Sequence, residues 1–126
     1  MLIEHVDFIS VHTTDVDRSR RFYLETLGLP LDNDRGVGFE VRAGQLCLSI
    51  WNPTSAGMDL GPSPAHIALH VDDVEKARRD LEAKGVEFQG DIFDTGVCHM
   101  AFFADPDGNA FMLHCRYAPP ANGEQP

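Results

Sequence analysis

Four histidines and two sulfur-containing residues recur at alternating positions of short apolar segments. Alternate side chains of a β-strand point to the same side of the sheet, so these six residues would share one face. Histidine, cysteine and methionine bind borderline and soft metal ions, and a histidine with its ordinary pKa of ~6.5 also exchanges protons at neutral pH. The six residues are His12, Cys47, His66, His70, Met112 and His114.

The same strand face would carry residues suited to contact with a small molecule. Aromatic and thioether side chains offer large, adaptable apolar surfaces. Ser10 and Ser49 share the face, but no acidic residue is placed to complete a nucleophilic triad. The predicted ligand-binding residues are Phe8, Ser10, His12, Cys47, Ser49, Trp51, His66, His70, Met100, Phe102, Met112, His114 and Arg116. The alternative is that this face is a dimer interface or an inner core with hydrogen-bonded histidines.

The elements that must position these residues occur twice along the chain. The segment Phe8–Val16 aligns with His66–Val74 without a gap, and the same offset pairs Asp15 with Asp73. Each copy begins with an alternating apolar strand, followed by an aspartate where a helix needs an N-cap. Gly28 and Gly85 then supply the positive φ that ends a helix.

Three short strands are predicted after each helix. We expect them near residues 29–32, 38–43 and 45–51, and again near 86–91, 97–104 and 109–117. The sequence Asp-Pro-Asp-Gly at 105–108 predicts a tight turn in the last hairpin. The predicted fold class is therefore α+β, with two tandem βαβββ modules. A single domain would span 1–117, with module one at 1–51, a linker at 52–64, module two at 65–117 and a disordered tail at 118–126.

Charge and composition exclude several classes of partner. The 126 residues include 10 Lys and Arg against 20 Asp and Glu, giving a net charge of −10. Nucleic acids and anionic membranes are bound through clustered cations, so we expect neither. No apolar segment approaches the ~20 residues of a membrane helix, and Glu4 and Asp7 argue against a secretory signal. Three cysteines without CxxC spacing suit a reducing compartment, so the expected location is the cytoplasm.

Three segments carry a resemblance to a known family. DVDRSRRFYLETLGL, HIALHVDDV and FFADPDGN resemble the vicinal oxygen chelate superfamily, which includes glyoxalase I, extradiol dioxygenases and bleomycin-resistance proteins. The resemblance extends over about residues 3–117 and implies two tandem βαβββ modules forming a curled mixed-sheet cup. Enzymes of the family hold a divalent metal in this cup through the first and last strands of each module. The resemblance also implies a homodimer. Because one scaffold hosts several activities, the resemblance is more specific for the fold than for the chemistry.

The metal ligands of that family, carried over one position at a time, fall on unsuitable side chains. The four positions are Phe8, Cys47, His66 and Met112. Only His66 is a usual ligand, whereas a catalytic zinc needs three protein ligands. We therefore expect neither the usual metal site nor another cofactor.

Three alternative metal sites stay open at this stage. They are a copper site of Cys47, His66 and Met112, a displaced site of His12, His70 and His114, and a conventional site in which Gln45 replaces Cys47.

Two functions are compatible with these residues. In the first, the protein is not an enzyme but sequesters a small aromatic or natural-product-like compound, as bleomycin-resistance proteins sequester their drugs. In the second, it is a glyoxalase- or dioxygenase-like enzyme, or a metal-independent lyase or isomerase. His66, His70 or His114 would then act as general acid or base, and Arg116 would anchor an anionic group.

Overall fold

Each predicted repeat forms a four-stranded mixed sheet with one helical segment in the computed structural model, which describes residues 2–119. The chain divides into two units. The first comprises the described residues through Pro64 together with Asp105–Asn109, and the second comprises Ala65–Ala104 and the described residues from Ala110 onward. The tail predicted from Ala118 lies, beyond Pro119, outside the described residues. Within the described chain, no helix has the length and apolar character needed to cross a lipid bilayer.

The first unit has the strand order β1-β4-β3-β2, in which β1 and β4 are parallel and the other neighbours antiparallel. Its elements are β1 (Ile9–His12), helix α1 (Val16–Arg20) with a π-helical continuation (Arg21–Thr26), β2 (Leu31–Asp34), β3 (Gly38–Ala43) and β4 (Leu46–Trp51). The predicted linker begins with a 3-10 turn, Pro53–Ala56, capped by the side chain of Asn52.

The second unit repeats this arrangement with the order β5-β8-β7-β6. Its elements are β5 (Ile67–His70), helix α2 (Val74–Ala83), β6 (Phe88–Asp94), β7 (Cys98–Ala104) and β8 (Ala110–Arg116). Strands β5 and β8 are parallel, and the remaining pairs are antiparallel. The predicted α+β class, with two βαβββ modules and mixed sheets, is confirmed.

Both helices begin and end where the sequence indicates. The Asp15 and Asp73 carboxylates each accept a hydrogen bond at 3.0 Å from the backbone N–H three residues later, which satisfies a donor that has no partner within the helix. Gly28 and Gly85 adopt φ values of 71° and 95° beyond the helix ends. In these positions a residue with a Cβ would be strained.

The apolar strand faces form the cores of the two units. Full burial of one such side chain stabilises the fold by roughly 1.5–3 kcal/mol. The buried apolar side chains are Val11, Tyr23, Phe39, Val41, Leu48 and Ile50 in the first unit, and Val74, Val86, Ala101, Phe103, Phe111 and Leu113 in the second. The alternation predicted for β1 and β4 is thus observed, with Ser10 and Ser49 on the face opposite this core.

The turn at Asp105–Asn109 completes the first unit through buried hydrogen bonds. The Tyr23 hydroxyl donates to the Asp105 carboxylate at 2.6 Å, and the Asn109 side-chain amide donates to the backbone carbonyl of His12 at 2.8 Å. Asp107 accepts from the Thr13 hydroxyl at 2.6 Å. A segment distant in sequence therefore supplies polar partners that strand β1 and helix α1 require.

Candidate functional site

A cavity of about 470 Å³ lies on the face of the first sheet that carries Ser10 and Ser49. This volume falls in the range that accommodates small organic ligands. Strands β1, β3 and β4 contribute about half of the lining residues, and the others come from β2, the β2–β3 turn, the residue before β1 and the 3-10 turn after β4. The lining residues are Phe8, Ser10, Asn33, Arg35, Val37, Gly38, Phe39, Glu40, Ser49, Trp51 and Ser55.

Trp51 is held in one orientation against the cavity. Its indole Nε1–H donates to the Ser10 hydroxyl at 2.6 Å, and the His12 ring packs edge-on against it at 5.4 Å between centroids. Gly38 is the neighbour of Trp51 on strand β3. A Cβ at Gly38 would lie 3.0 Å from the Trp51 Cβ and 2.9 Å from the carbonyl oxygen of Ile50, so only glycine fits without displacing the strand.

Exposed apolar side chains form much of the remaining wall. Phe8 is 49% exposed and Val37 is 67% exposed, while Phe39 lies almost fully buried against Tyr23. Aromatic side chains recognise flat rings through stacking and edge-to-face contacts. The cavity therefore presents a rigid indole and two exposed apolar groups to a ligand.

The polar part of the wall includes one acidic and one basic side chain. Glu40 faces Ser49 across strands β3 and β4, and its carboxylate accepts from the Asn33 amide at 3.4 Å. Arg35 lines the cavity from the β2–β3 turn. These groups can hydrogen-bond or pair with polar substituents of a ligand.

Cys47 does not line this cavity, contrary to the prediction. It is buried, and its thiol donates to the Glu40 carboxylate at 3.6 Å. Burial, together with the adjacent Glu40 carboxylate, raises the pKa of the Cys47 thiol. The thiol therefore stays protonated at neutral pH and is a weak nucleophile.

His12 belongs to a different, smaller cavity of the first unit. Its Nδ1 lies 3.0 Å from the carbonyl oxygen of Gly61. That cavity has a volume of about 210 Å³ and is lined partly by the segment following β4. His12 therefore packs against the Trp51 ring but does not line the larger cavity.

The second sheet carries the remaining predicted residues on its corresponding face. His66 packs against Phe102 with ring centroids 5.0 Å apart. The strand register places His114 between His70 on β5 and Met100 on β7, and Met112 between Ala68 and Phe102. The predicted residues of this module thus share one face, as the alternation indicates.

Arg116 is engaged within its own segment. Its guanidinium donates to the carbonyl oxygens of Ala118 and Pro119 at 2.8 and 3.2 Å. The predicted role of Arg116 as an anchor for an anionic group therefore has to compete with these hydrogen bonds.

The chain matches the model of one protein family over most of its length. The model of the Glyoxalase/Bleomycin resistance protein/Dioxygenase superfamily matches residues 3–113. The chain belongs to this superfamily. The predicted resemblance is thereby confirmed, because this superfamily comprises the vicinal oxygen chelate proteins.

Individual members of the superfamily differ in their named activities. A probable lactoylglutathione lyase of Vibrio parahaemolyticus is 32% identical over 109 residues, covering 75% of this chain and 78% of that protein. Lactoylglutathione lyase GLX1 of Arabidopsis thaliana is 29% identical over 112 residues, 79% of this chain but only 40% of the longer relative. The crystal structure of TnmS3, an antibiotic-binding protein from Streptomyces sp. CB03234, is 31% identical with a TM-score of 0.75, covering 92% of this chain and 98% of that one.

The strand register corrects one of the superfamily's metal-ligand positions. Ser10 and Ala68 are equivalent in the repeat; Ser10 pairs with Ser49, and Ala68 pairs with Met112. Ser49, and not Cys47, therefore corresponds to Met112. The metal-ligand position of the first unit therefore does not fall on Gln45, which lies in the turn before β4.

The corrected donor set does not fit the superfamily's divalent ion. It consists of a phenyl ring, a neutral hydroxyl, one imidazole and a thioether, from Phe8, Ser49, His66 and Met112 respectively. Hard and borderline divalent ions require several carboxylate, imidazole or thiolate ligands. Across residues 2–119, no three His, Cys, Asp or Glu side chains come together in a way that could hold a metal.

The cavity also contains residues that the sequence analysis missed. Arg35 and Val37 lie in the β2–β3 turn, where strand alternation gives no information, whereas Asn33 lies within β2 and pairs with Glu40 of β3. Gly38 and Glu40 could have been found by applying the alternation to β3, since Glu40 pairs with Ser49. Of the predicted ligand-binding residues in the first unit, Phe8, Ser10, Ser49 and Trp51 line the cavity.

Proposed function

We propose that the cavity of the first unit binds and sequesters a planar aromatic compound. The observation that carries this proposal is the fixed indole of Trp51, which stands beside the exposed side chains of Phe8 and Val37. A wall held in position before the ligand arrives loses little conformational entropy on binding. The positions at which the superfamily's metal ligands fall in this unit carry Phe8 and Ser49, which favours binding by shape and stacking. The similarity to TnmS3, an antibiotic-binding protein, supports the same function.

Intrinsic fluorescence tests this proposal directly. Trp51 is the sole tryptophan of the chain, so its emission reports the cavity and nothing else. We expect saturable changes in emission on titration with at least one member of a panel of planar aromatic antibiotics. The ligand recovered after binding should be chemically unchanged. Unchanged emission throughout the panel at micromolar ligand would count decisively against sequestration.

A matched pair of variants locates the binding site. Val37 and Val97 occupy equivalent turns in the two units, Asp34–Gly38 and Asp94–Cys98, and both side chains are exposed. Val37→Ala should weaken binding of a compound found in the panel, whereas Val97→Ala should leave its affinity unchanged. Equal effects of the two substitutions would place the binding site elsewhere.

A lyase is the second candidate, favoured by the relative named as a probable lactoylglutathione lyase and by the partly exposed histidines of the second unit. His66, His70 or His114 would act as general acid or base. Formation of lactoylglutathione should then be catalysed by the purified protein and lost in His66→Ala. Absence of turnover in the wild-type protein would exclude the lyase.

We also propose a cytoplasmic homodimer. Exposed apolar residues Leu2, Ile3 and Val6 precede β1 and could be covered by a second copy, and the three cysteines are free. Light scattering tests the mass of the assembly, and fractionation of the cells tests its location. A monomer across micromolar concentrations, or recovery outside the cytoplasm, would overturn the corresponding part.

A further inference from the structure

Arg35 is a cation that the fold itself does not use. Its backbone N–H donates to the carbonyl of Gly38 at 2.9 Å and closes the β2–β3 turn. Arg35 is one of the residues that line the cavity, and its guanidinium makes no hydrogen bond or ion pair with any residue between 2 and 119. A guanidinium presents five donors in a planar fork that matches a carboxylate.

The equivalent turn of the second unit shows that the arginine is not needed for the turn. The backbone N–H of Thr95 donates to the carbonyl of Cys98 at 3.0 Å, as that of Arg35 does to Gly38. In addition, the Thr95 hydroxyl accepts from the Cys98 N–H at 2.9 Å, so this side chain stabilises its own turn. The side chain of Arg35 has no such local role, and Arg35 is one of the residues that line the cavity.

The acidic groups around Arg35 are already paired with other donors. The neighbouring carboxylate of Asp34 receives two hydrogen bonds, at 2.8 and 2.9 Å, from the guanidinium of Arg20. This pairing lowers the pKa of Asp34, so the carboxylate is ionised and its charge is balanced by Arg20. Glu40 accepts from Asn33 and Cys47.

We propose that the ligand of this cavity is a planar aromatic acid whose anionic group pairs with Arg35. This inference rests on the proposed function, and it adds the charge class of the ligand. The net charge of −10 repels anions at long range. An anionic preference therefore has to come from a local, unpaired guanidinium, and Arg35 supplies one beside the indole of Trp51.

Calorimetric titration with three naphthalenes tests the preference. The probes are 2-naphthoate, 2-naphthamide and 2-naphthylmethylamine, which share the ring and differ in charge. One charge-assisted hydrogen bond at a partly exposed site should favour the naphthoate over the amide by about tenfold. The preference should shrink as the salt concentration rises, because the pair is screened.

Three variants assign the preference to the Arg35 side chain. Arg35→Thr introduces threonine, the residue found at the equivalent turn position 95 of the second unit, so the fold should be retained. In this variant the naphthoate should bind about as weakly as the amide, with the amide's affinity unchanged. Arg35→Lys should keep part of the preference, since the charge remains but the fork is lost. Arg21→Gln removes an exposed cation outside the cavity lining and should keep the full preference.

The outcomes separate this inference from the proposed function. Equal affinities for acid and amide in the wild type, tighter binding of the amine, or a preference that survives Arg35→Thr would each overturn the role of Arg35. Failure of the naphthoate to bind would overturn it as well. None of these results contradicts aromatic sequestration, which the panel of planar antibiotics decides separately.

Discussion

Removing the hydroxyl of Tyr23 should destabilise the protein far more than removing a comparable tyrosine hydroxyl at the surface. The Tyr23 side chain is fully buried, and its O–H donates at 2.6 Å to Asp105, which is 4% exposed. Burial, together with the nearby Asp105 carboxylate, raises the pKa of Tyr23, so the hydroxyl keeps its proton and remains a donor throughout the physiological range. Tyr23→Phe deletes this donor and leaves the ring in place.

The magnitude follows from the other partners of the Asp105 carboxylate. Its Oδ1 accepts from the backbone N–H groups of Asp107 and Asn109, and its Oδ2 keeps the Asn109 side-chain amide at 2.8 Å. Three of four hydrogen bonds therefore remain. A hydrogen bond to a charged group contributes roughly 1.5–3 kcal/mol, so we expect a loss of about 2 kcal/mol in the free energy of unfolding. For a domain of this length, that loss corresponds to a fall in Tm of roughly 6–10 °C.

Urea and thermal unfolding measure the effect, and Tyr117 provides the control. The Tyr117 hydroxyl donates to the Asp94 carboxylate at 2.8 Å, but the residue is 51% exposed. Tyr117→Phe should therefore change the free energy of unfolding by less than about 0.5 kcal/mol. The reasoning about the Asp105 turn is refuted if the two substitutions have equal effects, or if Tyr23→Phe leaves the Tm unchanged.

Three further perturbations test the remaining parts of the structure. Burial alone would raise the pKa of Asp107, but hydrogen bonds from Thr13, Thr14 and Arg18 outweigh it and lower the pKa. The free energy of unfolding should therefore fall as the pH drops below about 4. Asp107→Asn should be less stable at pH 7, and its stability should depend less on pH in the acid range. Gly38→Ala should shift Trp51 emission and weaken aromatic binding, because the new methyl group would clash with the neighbouring strand β4. Unaltered emission and affinity would contradict this contact. Asp73→Ala should cost about 1 kcal/mol in urea unfolding through loss of the α2 N-cap, and Asp73→Asn should recover most of it.

The local chemistry of the sequence was sufficient to predict the fold. Aspartate N-caps and helix-ending glycines are determined by nearest neighbours in the chain, and strand alternation separated the core from the opposite face. Strands β2 and β6 begin two residues later than expected, at Leu31 and Phe88. Such boundaries depend on pairing with β3 and β7, and local propensity does not encode that pairing.

The candidate site was only partly predictable, because its register depends on hairpin length. In the first unit the two residues Gly44 and Gln45 connect β3 to β4, whereas in the second unit the five residues 105–109 connect β7 to β8. This difference made Cys47 the expected equivalent of Met112 in place of Ser49. Arg35 and Val37 were missed for another reason: a turn residue is directed toward a cavity by tertiary structure, which no periodicity reveals.

The contribution of residues 105–109 to the first unit has a consequence for biosynthesis. As the ribosome releases the chain, β1 through β4 emerge first, yet the acceptor for the Tyr23 hydroxyl is translated more than eighty residues after it. The nascent first unit therefore lacks these hydrogen-bond partners until residues 105–109 have been synthesised. A fragment ending at Pro64 should accordingly be less stable than the first unit within the 126-residue chain, because the fragment lacks residues 105–109.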